Sequence, residues 1–491
     1  MRIGALFLLL AAGCSSPPST SRKDPLNVVF ILADDLGFGE LGCYGQKKIR
    51  TPYLDRLAAQ GMRFTRHCSG APVCAPSRCV LMSGRHLGHV PIRGNKRAEG
   101  YPEGQHPIPD ETLTIAEVFR KAGYATGAFG KWGLGPAGST RDPNRQGFDR
   151  FFGHNCQGVA HSFYPSHLWR NSEKVLLNAK PVPGHAKQPE GVVRLEDWTG
   201  ERHSSVAILG EALAFLRESA ARPFFLYLPF TEPHAALQPP VDLLDTYPRE
   251  WDDRPYRGQC GYTPHPRPRA AYASMITALD RHVGEILKEL DRLSLADRTL
   301  VLFSSDNGTT HHAPGDAQFG VAGVDAAFFE STAGLRAFKG SVYEGGIRVP
   351  LIVRWPGRVR PGSVSAFPSY FADHFPTLCE AAGLPVPGGL DGVSLLPVLE
   401  GRDAPARPPM VYVFPEYGGQ FAVNYGSLKV VRQGVRTKQP GPWEVYDLDR
   451  DPGETKDLAA ERPELVKKAV ELLRAQADPN PVFPMPAPVL E

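Results

Sequence analysis

Asn27-Val28-Val29-Phe30-Ile31-Leu32-Ala33-Asp34-Asp35 decides the fold. Residues 27–32 are almost continuously apolar and rich in β-branched side chains, the pattern of a strand buried on both faces. The run stops at two adjacent carboxylates. Working outward, Thr51 and Pro52 open a helix as N-cap and first residue, and Gly61 closes it. Thr114 with Glu117 forms a capping box for a helix that Gly123 ends. Residues 124–129 read as a strand running into Gly130-Lys131-Trp132, 204–218 as a helix, and 224–230 as a strand before Glu232-Pro233-His234. A long amphipathic helix over 270–293 precedes a strand over 299–303 that ends at Asp306-Asn307. Residues 349–354 give one more strand and 370–382 one more helix. The alternation predicts an α/β fold: an open, mostly parallel central sheet with helices on both faces. The polar residues just named fall at strand C-terminal ends, where such sheets bind ligands. Beyond Asp391-Gly392 and Leu395-Leu396, short alternating runs (410–414, 443–447) and a final helix (463–476) predict a small α+β domain. The chain divides into a leader and tether over 1–26, a main domain over 27–400 and a C-terminal domain over 401–491.

Composition narrows the function classes. Gly 50 and Pro 48 together stay below the range of disordered chains, and 42% hydrophobic residues suffice for a large core. A net charge of +3 over 491 residues leaves no nucleic-acid footprint. The eight cysteines are irregularly spaced, without a CxxC pair, so no disulfide framework is expected. Arg2 precedes an apolar run over 3–12 that is too short to span a bilayer. Ala11-Ala12-Gly13-Cys14 resembles a bacterial lipoprotein cleavage site, with Ala11 where Leu is usual and Leu10 one position earlier. Simple signal cleavage is the alternative. The expectation is an exported protein, periplasmic or lipid-anchored to the bacterial cell envelope, touching membrane only through that anchor.

Two further features carry chemistry. In Cys74-Ala75-Pro76-Ser77-Arg78-Cys79, Pro76 suits a first helical turn and sets Cys74 near a helix N-terminus, where an anion is welcome. Taken alone, Cys74 reads as a buried cysteine, as a partner of Cys79 in a disulfide or metal site, or as a thiolate nucleophile. No other Cys/His pair lies nearby at zinc-like spacing, and Arg78 cannot be a base because it stays protonated. Asp34 with Asp35, and Asp306 with Asn307 before Gly308, each pass for turn chemistry alone. Together they offer three carboxylates and an amide, an oxygen set suited to Ca²⁺ or Mg²⁺. Two neighbouring carboxylates reach one ion only if the strand end bends.

Cys74-x-Pro76-Ser77-Arg78 followed by Met82-Ser83-Gly84-Arg85 resembles the signature of the type I sulfatases of the alkaline phosphatase superfamily, in an arylsulfatase A-like bacterial branch. The resemblance runs from about residue 27 to 458 and includes Trp443-Glu444-Val445-Tyr446-Asp447-Leu448. It implies an alkaline phosphatase-like fold and a sulfuric ester hydrolase acting on a sulfated carbohydrate or aryl ester. It further implies that a formylglycine-generating maturation enzyme converts Cys74 to formylglycine, whose hydrate attacks sulfur. One calcium ion is implied, held by Asp34, Asp35, Asp306, Asn307 and position 74. Lys131 and Lys339 take the sulfate, His234 protonates the departing alcohol, and Arg78 orients the hydrate. Many relatives carry histidine where this chain has Gly133, which leaves His311 and His312 as candidate bases for the release of sulfate. Residues 155–170 (His161, Tyr164, His167, Trp169, Arg170), with Arg93 and Asn95, are candidates for a sugar subsite. The alternatives are a formylglycine-dependent phosphonate monoester or phosphodiester hydrolase, and a non-catalytic binder of sulfated glycan.

Overall fold

The computed structural model describes residues 25–310 and 319–490. Strand β1 (Asn27–Asp34) is buried along its whole length. Val28, Phe30 and Leu32 enter one core, while Val29, Ile31 and Ala33 enter another. Burial on both faces is why the stretch is continuously apolar rather than alternating. Each fully buried Val, Leu, Ile or Phe contributes about 1.5–3 kcal/mol of transfer free energy.

After β1 come β2 (Met62–Phe64), β3 (His67–Cys68), β4 (Ala125–Lys131), β5 (Arg150–His154), β6 (His167–Arg170) and β7 (Glu173–Leu176). They are followed by β8 (Phe224–Pro233), β9 (Thr299–Ser305), β10 (Leu351–Arg354), β11 (Ser363–Ser365) and β12 (Ser369–Tyr370). Ten of these form one sheet in the order β11-β2-β10-β9-β1-β8-β4-β5-β6-β7, and β3 pairs with β12 apart from it. The central five, β9-β1-β8-β4-β5, run parallel. The strand expected over 349–354 is β10, which runs antiparallel to β9. A parallel neighbour needs a crossover that carries the chain back to the other end of the sheet. Among the described residues between β9 and β10, the only α-helix is a single turn. Within residues 155–170 lies β6, which extends the sheet edge with β7.

The sheet is covered by α1 (Pro52–Ala59), α2 (Cys74–Ser83), α3 (Ile115–Lys121), α4 (Ser204–Glu218), α5 (Pro268–Arg292), the single turn α6 (Glu344–Ile347) and α7 (His374–Ala381). Helices α1, α4 and α5 pack on one face and α2, α3 and α7 on the other. In α5 the residues Ala271, Met275, Leu279, Val283 and Ile286 recur at helical spacing and are all buried. Pro occupies the first turn of α1 after Thr51, and the Thr114–Glu117 capping box closes the start of α3.

After the short α8 (Leu396–Leu399), β13 (Met410–Phe414), β14 (Gln420–Tyr425), β15 (Leu428–Arg432) and β16 (Trp443–Asp447) form an antiparallel sheet against α9 (Pro463–Gln476). Val411, Val423, Val430 and Val445 face Ala469, Val470 and Leu473 of α9. On the other side Met410, Tyr412, Phe414 and Val431 join the core beneath β1. A buried ion network ties this sheet to α6: Lys429 Nζ lies 2.8 Å from Glu344 and 2.9 Å from Glu454, and Arg348 Nε lies 2.6 Å from Glu344. No helix among the described residues is long and apolar enough to cross a membrane.

Candidate active site

The site lies where β1, β4, β8 and β9 end. Asp34 is the last residue of β1, and Asp35 turns the chain with a φ of 66°. That left-handed residue is the bend two adjacent carboxylates need in order to converge. Asp35 Oδ1 accepts from Asn307 Nδ2 at 2.8 Å, and the Asp35 N–H donates to Asp306 Oδ1 at 3.2 Å, so the two acidic pairs meet. Gly308 follows for a reason other than turn conformation: any Cβ there would collide with the carbonyl oxygen of Gly345. Beneath both loops sits fully buried Glu40. It accepts from the Gly37 N–H at 2.6 Å, from the Tyr272 hydroxyl at 2.6 Å and from the Thr309 hydroxyl at 3.3 Å.

Cys74 is the first residue of α2, after an extended Val73, and is 1% exposed. Its Sγ lies 3.4 Å from Asp34 Oδ1. Burial, then the charge of Asp34, push the thiol well above its ordinary pKa. An unmodified Cys74 is therefore a protonated thiol and a poor nucleophile. Cys74 and Cys79 are both free, so the disulfide alternative is overturned. Four residues on, and hence on the same helix face, Arg78 donates from Nε and Nη2 to Asp306 Oδ2 at 3.0 and 2.8 Å. The Arg78 guanidinium also donates to the Lys131 carbonyl.

Lys131, at the end of β4, places Nζ 2.5 Å from Asp34 Oδ2, and Lys339 places Nζ 2.6 Å from Asp35 Oδ1. Lys339 is pinned by its own N–H to Thr309 O, and Gly340 N–H to Pro72 O joins the same segment to the Cys74 loop. Burial opposes the charge on both lysines, but Asp34 beside Lys131 and Asp35 beside Lys339 outweigh it, so both stay cationic. Burial likewise works to raise Asp34, yet Lys131, His234 and Arg78 hold it well below the usual range. Asp306 goes the other way, raised to about 6 by burial and by Asp34.

His234 follows β8. Its Nδ1 donates to the Ala235 carbonyl at 2.6 Å, and its Nε2 faces Asp35 Oδ2 at 3.6 Å. Burial lowers its pKa to about 4, against the pull of Asp35. Ligand atoms of Asp34, Asp35, Cys74 and His234 all lie within 4.8 Å of one another. The donor set fits a hard divalent cation. Asn307 Oδ1 is buried without a hydrogen-bond partner, an oxygen free to ligate such an ion.

All nine residues singled out in the sequence converge here: Asp34, Asp35, Cys74, Arg78, Lys131, His234, Asp306, Asn307 and Lys339. His311 and His312 lie outside the described residues, as does Cys14. At Gly133 (φ 76°) a Cβ would come 3.1 Å from Gln157 Nε2, so Gln157 occupies the adjoining space. Of the sugar-subsite candidates, His161 stacks on His234 with ring centroids 5.0 Å apart, and Asn95 Oδ1 accepts from the Ala75 N–H at 3.0 Å. The others are engaged by neighbouring groups of the chain. Tyr164 is in the core, and buried Arg93 donates to the carbonyls of Val90 and Gly88. His167 and Trp169 bind Glu103, and Arg170 binds Glu211. Glu40, His185 and Tyr262 were not legible as site residues. A second His/Asp cluster, His86, His89 and Asp391, does not suit a metal. His86 Nδ1 accepts the Gly88 N–H at 3.0 Å, which leaves the proton on Nε2 facing Gln476 at 3.2 Å.

Comparison with known proteins agrees with this geometry. Residues 26–384 match the sulfatase family, and 337–477 match the C-terminal family of N-sulphoglucosamine sulphohydrolase. Arylsulfatase A of Homo sapiens is 33% identical, the alignment covering 98% of this chain and 92% of that protein. An N-acetylgalactosamine-6-O-sulfatase of Bacteroides thetaiotaomicron is 30% identical over 95% of this chain and 97% of its own. The crystal structure of Ps i-CgsB in complex with k-i-k-neocarrahexaose superimposes with a TM-score of 0.74 at 25% identity, covering 93% of this chain and 94% of that one. With the family matched over most of its length and the charged residues of the motif gathered in one pocket, this chain belongs to the sulfatase family and is a sulfuric ester hydrolase.

Proposed function

We propose that this hydrolase removes sulfate from a sulfated carbohydrate, using Cys74 converted to formylglycine and one calcium ion. The supporting observation is the cluster around position 74, in which the carboxylates Asp34, Asp35 and Asp306 are paired with Lys131, Lys339, Arg78 and His234. Asp34, Asp35, Asp306 and the unpartnered Asn307 Oδ1 would hold the ion, and oxygen donors of this kind favour calcium. When in place, the ion supplies Lewis-acid polarisation and the hydrated aldehyde supplies the attacking hydroxyl.

The rest is done by this chain's own side chains. Lys131 and Lys339 turn their charge toward the sulfate oxygens, where negative charge accumulates during transfer. Arg78, locked on Asp306 and the Lys131 carbonyl, fixes the orientation of position 74. His234 has its Nδ1 proton committed to Ala235, so Nε2 is the ring nitrogen that faces the departing alcohol oxygen and delivers a proton there from the imidazolium form, a strong acid because burial lowers its pKa to about 4. The three cationic side chains balance the three carboxylates, which leaves the ion's charge as the surplus that draws in the anionic sulfate ester. Cys74 is 1% exposed, so the maturation enzyme reaches it only before this loop has folded. Export, with Cys14 as a lipid anchor or a nearby cleavage site, completes the proposal and rests on the leader sequence.

The relatives direct the choice of first substrates to N-acetylgalactosamine 6-sulfate and to neocarrahexaose-type oligosaccharides. The test is release of inorganic sulfate from a panel of sulfated mono- and disaccharides, each paired with its phosphate analogue. Sulfate release that disappears in Cys74→Ala is expected. Preferential phosphate release, or release equal to that of Cys74→Ala, contradicts the reading.

A further inference from the structure

Three loops meet above His234 and bring together rings that the chemistry so far leaves unused. His161 ends a one-turn helix, and its carbonyl accepts the Ala236 N–H at 3.1 Å. His185 follows Gly184, where any Cβ would press on the His161 backbone. Tyr262 holds a left-handed conformation (φ 65°) in the loop before α5, a backbone state that costs a bulky residue free energy and collects at functional sites. The loops are cross-tied: the Thr263 hydroxyl donates to the Pro183 carbonyl at 2.6 Å, and the Gln188 N–H to the Arg257 carbonyl at 3.0 Å.

The rings form one continuous wall. His161 lies flat on His234, centroids 5.0 Å apart and planes 16° apart. His161 Nδ1 is 2.8 Å from His185 Nε2, one nitrogen donating to the other. His185 stacks on Tyr262 at 4.4 Å, and Tyr262 meets His234 edge-on at 5.9 Å. Tyr262 and His161 are half-buried and His185 is exposed, and the Tyr262 phenol lies in the field of Lys339 and Asp35. The wall thus begins at the residue that faces the leaving oxygen and runs outward from it. Burial keeps both His161 and His185 below their ordinary pKa, so the wall is uncharged near neutral pH.

An alcohol whose leaving oxygen faces His234 lies beside these rings. We propose that Tyr262 and His185 are specificity-determining residues that receive the apolar face of the pyranose ring carrying the sulfate. This rests on the sulfated-carbohydrate reading above. Stacked on each other, Tyr262 and His185 offer a sugar's C–H face the outer face of the pair as a flat, uncharged surface, and interactions of this size change affinity by roughly three- to tenfold. They act on ground state and transition state alike, so KM moves and kcat does not.

The experiment uses the matured full chain with N-acetylgalactosamine 6-sulfate, galactose 6-sulfate and neocarrabiose sulfate as substrates, and inorganic sulfate as a competitive inhibitor that has no ring. For the saccharide turned over fastest, Tyr262→Ala and His185→Ala should each raise KM about three- to tenfold. The inhibition constant for inorganic sulfate should stay unchanged, and Tyr262→Phe should restore KM. Because Tyr262→Ala can disturb its strained loop, a thermal melt accompanies each variant, and Tyr262→Phe with His185→Ala decides the matter if Tyr262→Ala does not fold. An unchanged KM, a sulfate inhibition constant rising in step with KM, or loss of binding in Tyr262→Phe overturns the proposal. So does an enzyme that cleaves aryl sulfates but none of the saccharides, an outcome that leaves sulfate ester hydrolysis standing. Failure of the matured chain without substitutions on every ester instead counts against the proposed function itself.

Discussion

Replacing Glu40 by Gln probes the scaffold under the metal-binding loops through its pH dependence. Glu40 is fully buried, and burial raises its carboxyl to about 7 from 4.5, although Tyr272, Gly37 and Thr309 donate to it. A carboxyl raised in the folded state binds its proton more tightly there than in the unfolded chain. Its stabilising contribution is complete below the unfolded pKa of 4.5 and is lost as pH rises through about 7. Between about pH 5 and pH 8 that loss amounts to about 2.5 kcal/mol for this group alone. In Glu40→Gln the titration is gone, but an NH₂ group now meets one of the three donors, which costs about 1–2 kcal/mol at every pH. The variant should therefore be the less stable protein near pH 5 and equal or exceed the parent near pH 8. Urea denaturation in EDTA at several pH values measures the difference, and chelation keeps metal linkage out of it. A stability difference that is flat across that range would refute the argument, since it would mean Glu40 is already ionised in its buried site.

Three further outcomes are expected. Lys429→Met strips the shared cation from Glu344 and Glu454 and should destabilise the chain by about 3–5 kcal/mol in urea denaturation, whereas a loss below about 1 kcal/mol would show that Arg348 alone suffices. Chelation should abolish sulfate release and calcium should restore it; a stoichiometric zinc content that tracks activity contradicts the oxygen-ligated site. His234→Ala should slow the cleavage of saccharide sulfates far more than that of aryl sulfates, whose leaving groups need little protonation, so equal losses on both would remove His234 from proton delivery.

The central sheet was legible because β1, β8 and β9 are buried on both faces and leave uninterrupted apolar runs, each ending in a polar residue of the site. Cap chemistry did the same for α1 and α3, where Thr51-Pro52 and Thr114 with Glu117 mark the starts. Direction was not legible in β10, since Leu351 to Arg354 is equally apolar in either sense. Nor were β14 and β15, whose pairing depends on partners distant in the fold. Around the site, the motif residues stand in fixed local stretches, so the nine could be named from the chain alone. Nothing local marks Glu40, because the groups that enclose it, Tyr272 and Thr309, are far away in sequence. Tyr262 and His185 sit in Gly- and Pro-rich loops without periodicity, and only the crossing of three loops sets them beside His234. Conversely, Tyr164, Trp169 and Arg93 had suitable chemistry for a sugar subsite, but packing and carbonyl contacts take them up.

The central claim is that position 74, in this ring of carboxylates and lysines, carries the nucleophile as formylglycine. Mass spectrometry of the peptide spanning Cys74 to Arg78, from chain produced with a formylglycine-generating enzyme and assayed in parallel for sulfate release, tests it most directly. The account predicts the mass decrease of a thiol-to-aldehyde exchange at position 74, in a fraction that scales with specific activity. Full sulfate-releasing activity from chain whose position 74 is entirely unmodified cysteine would contradict it.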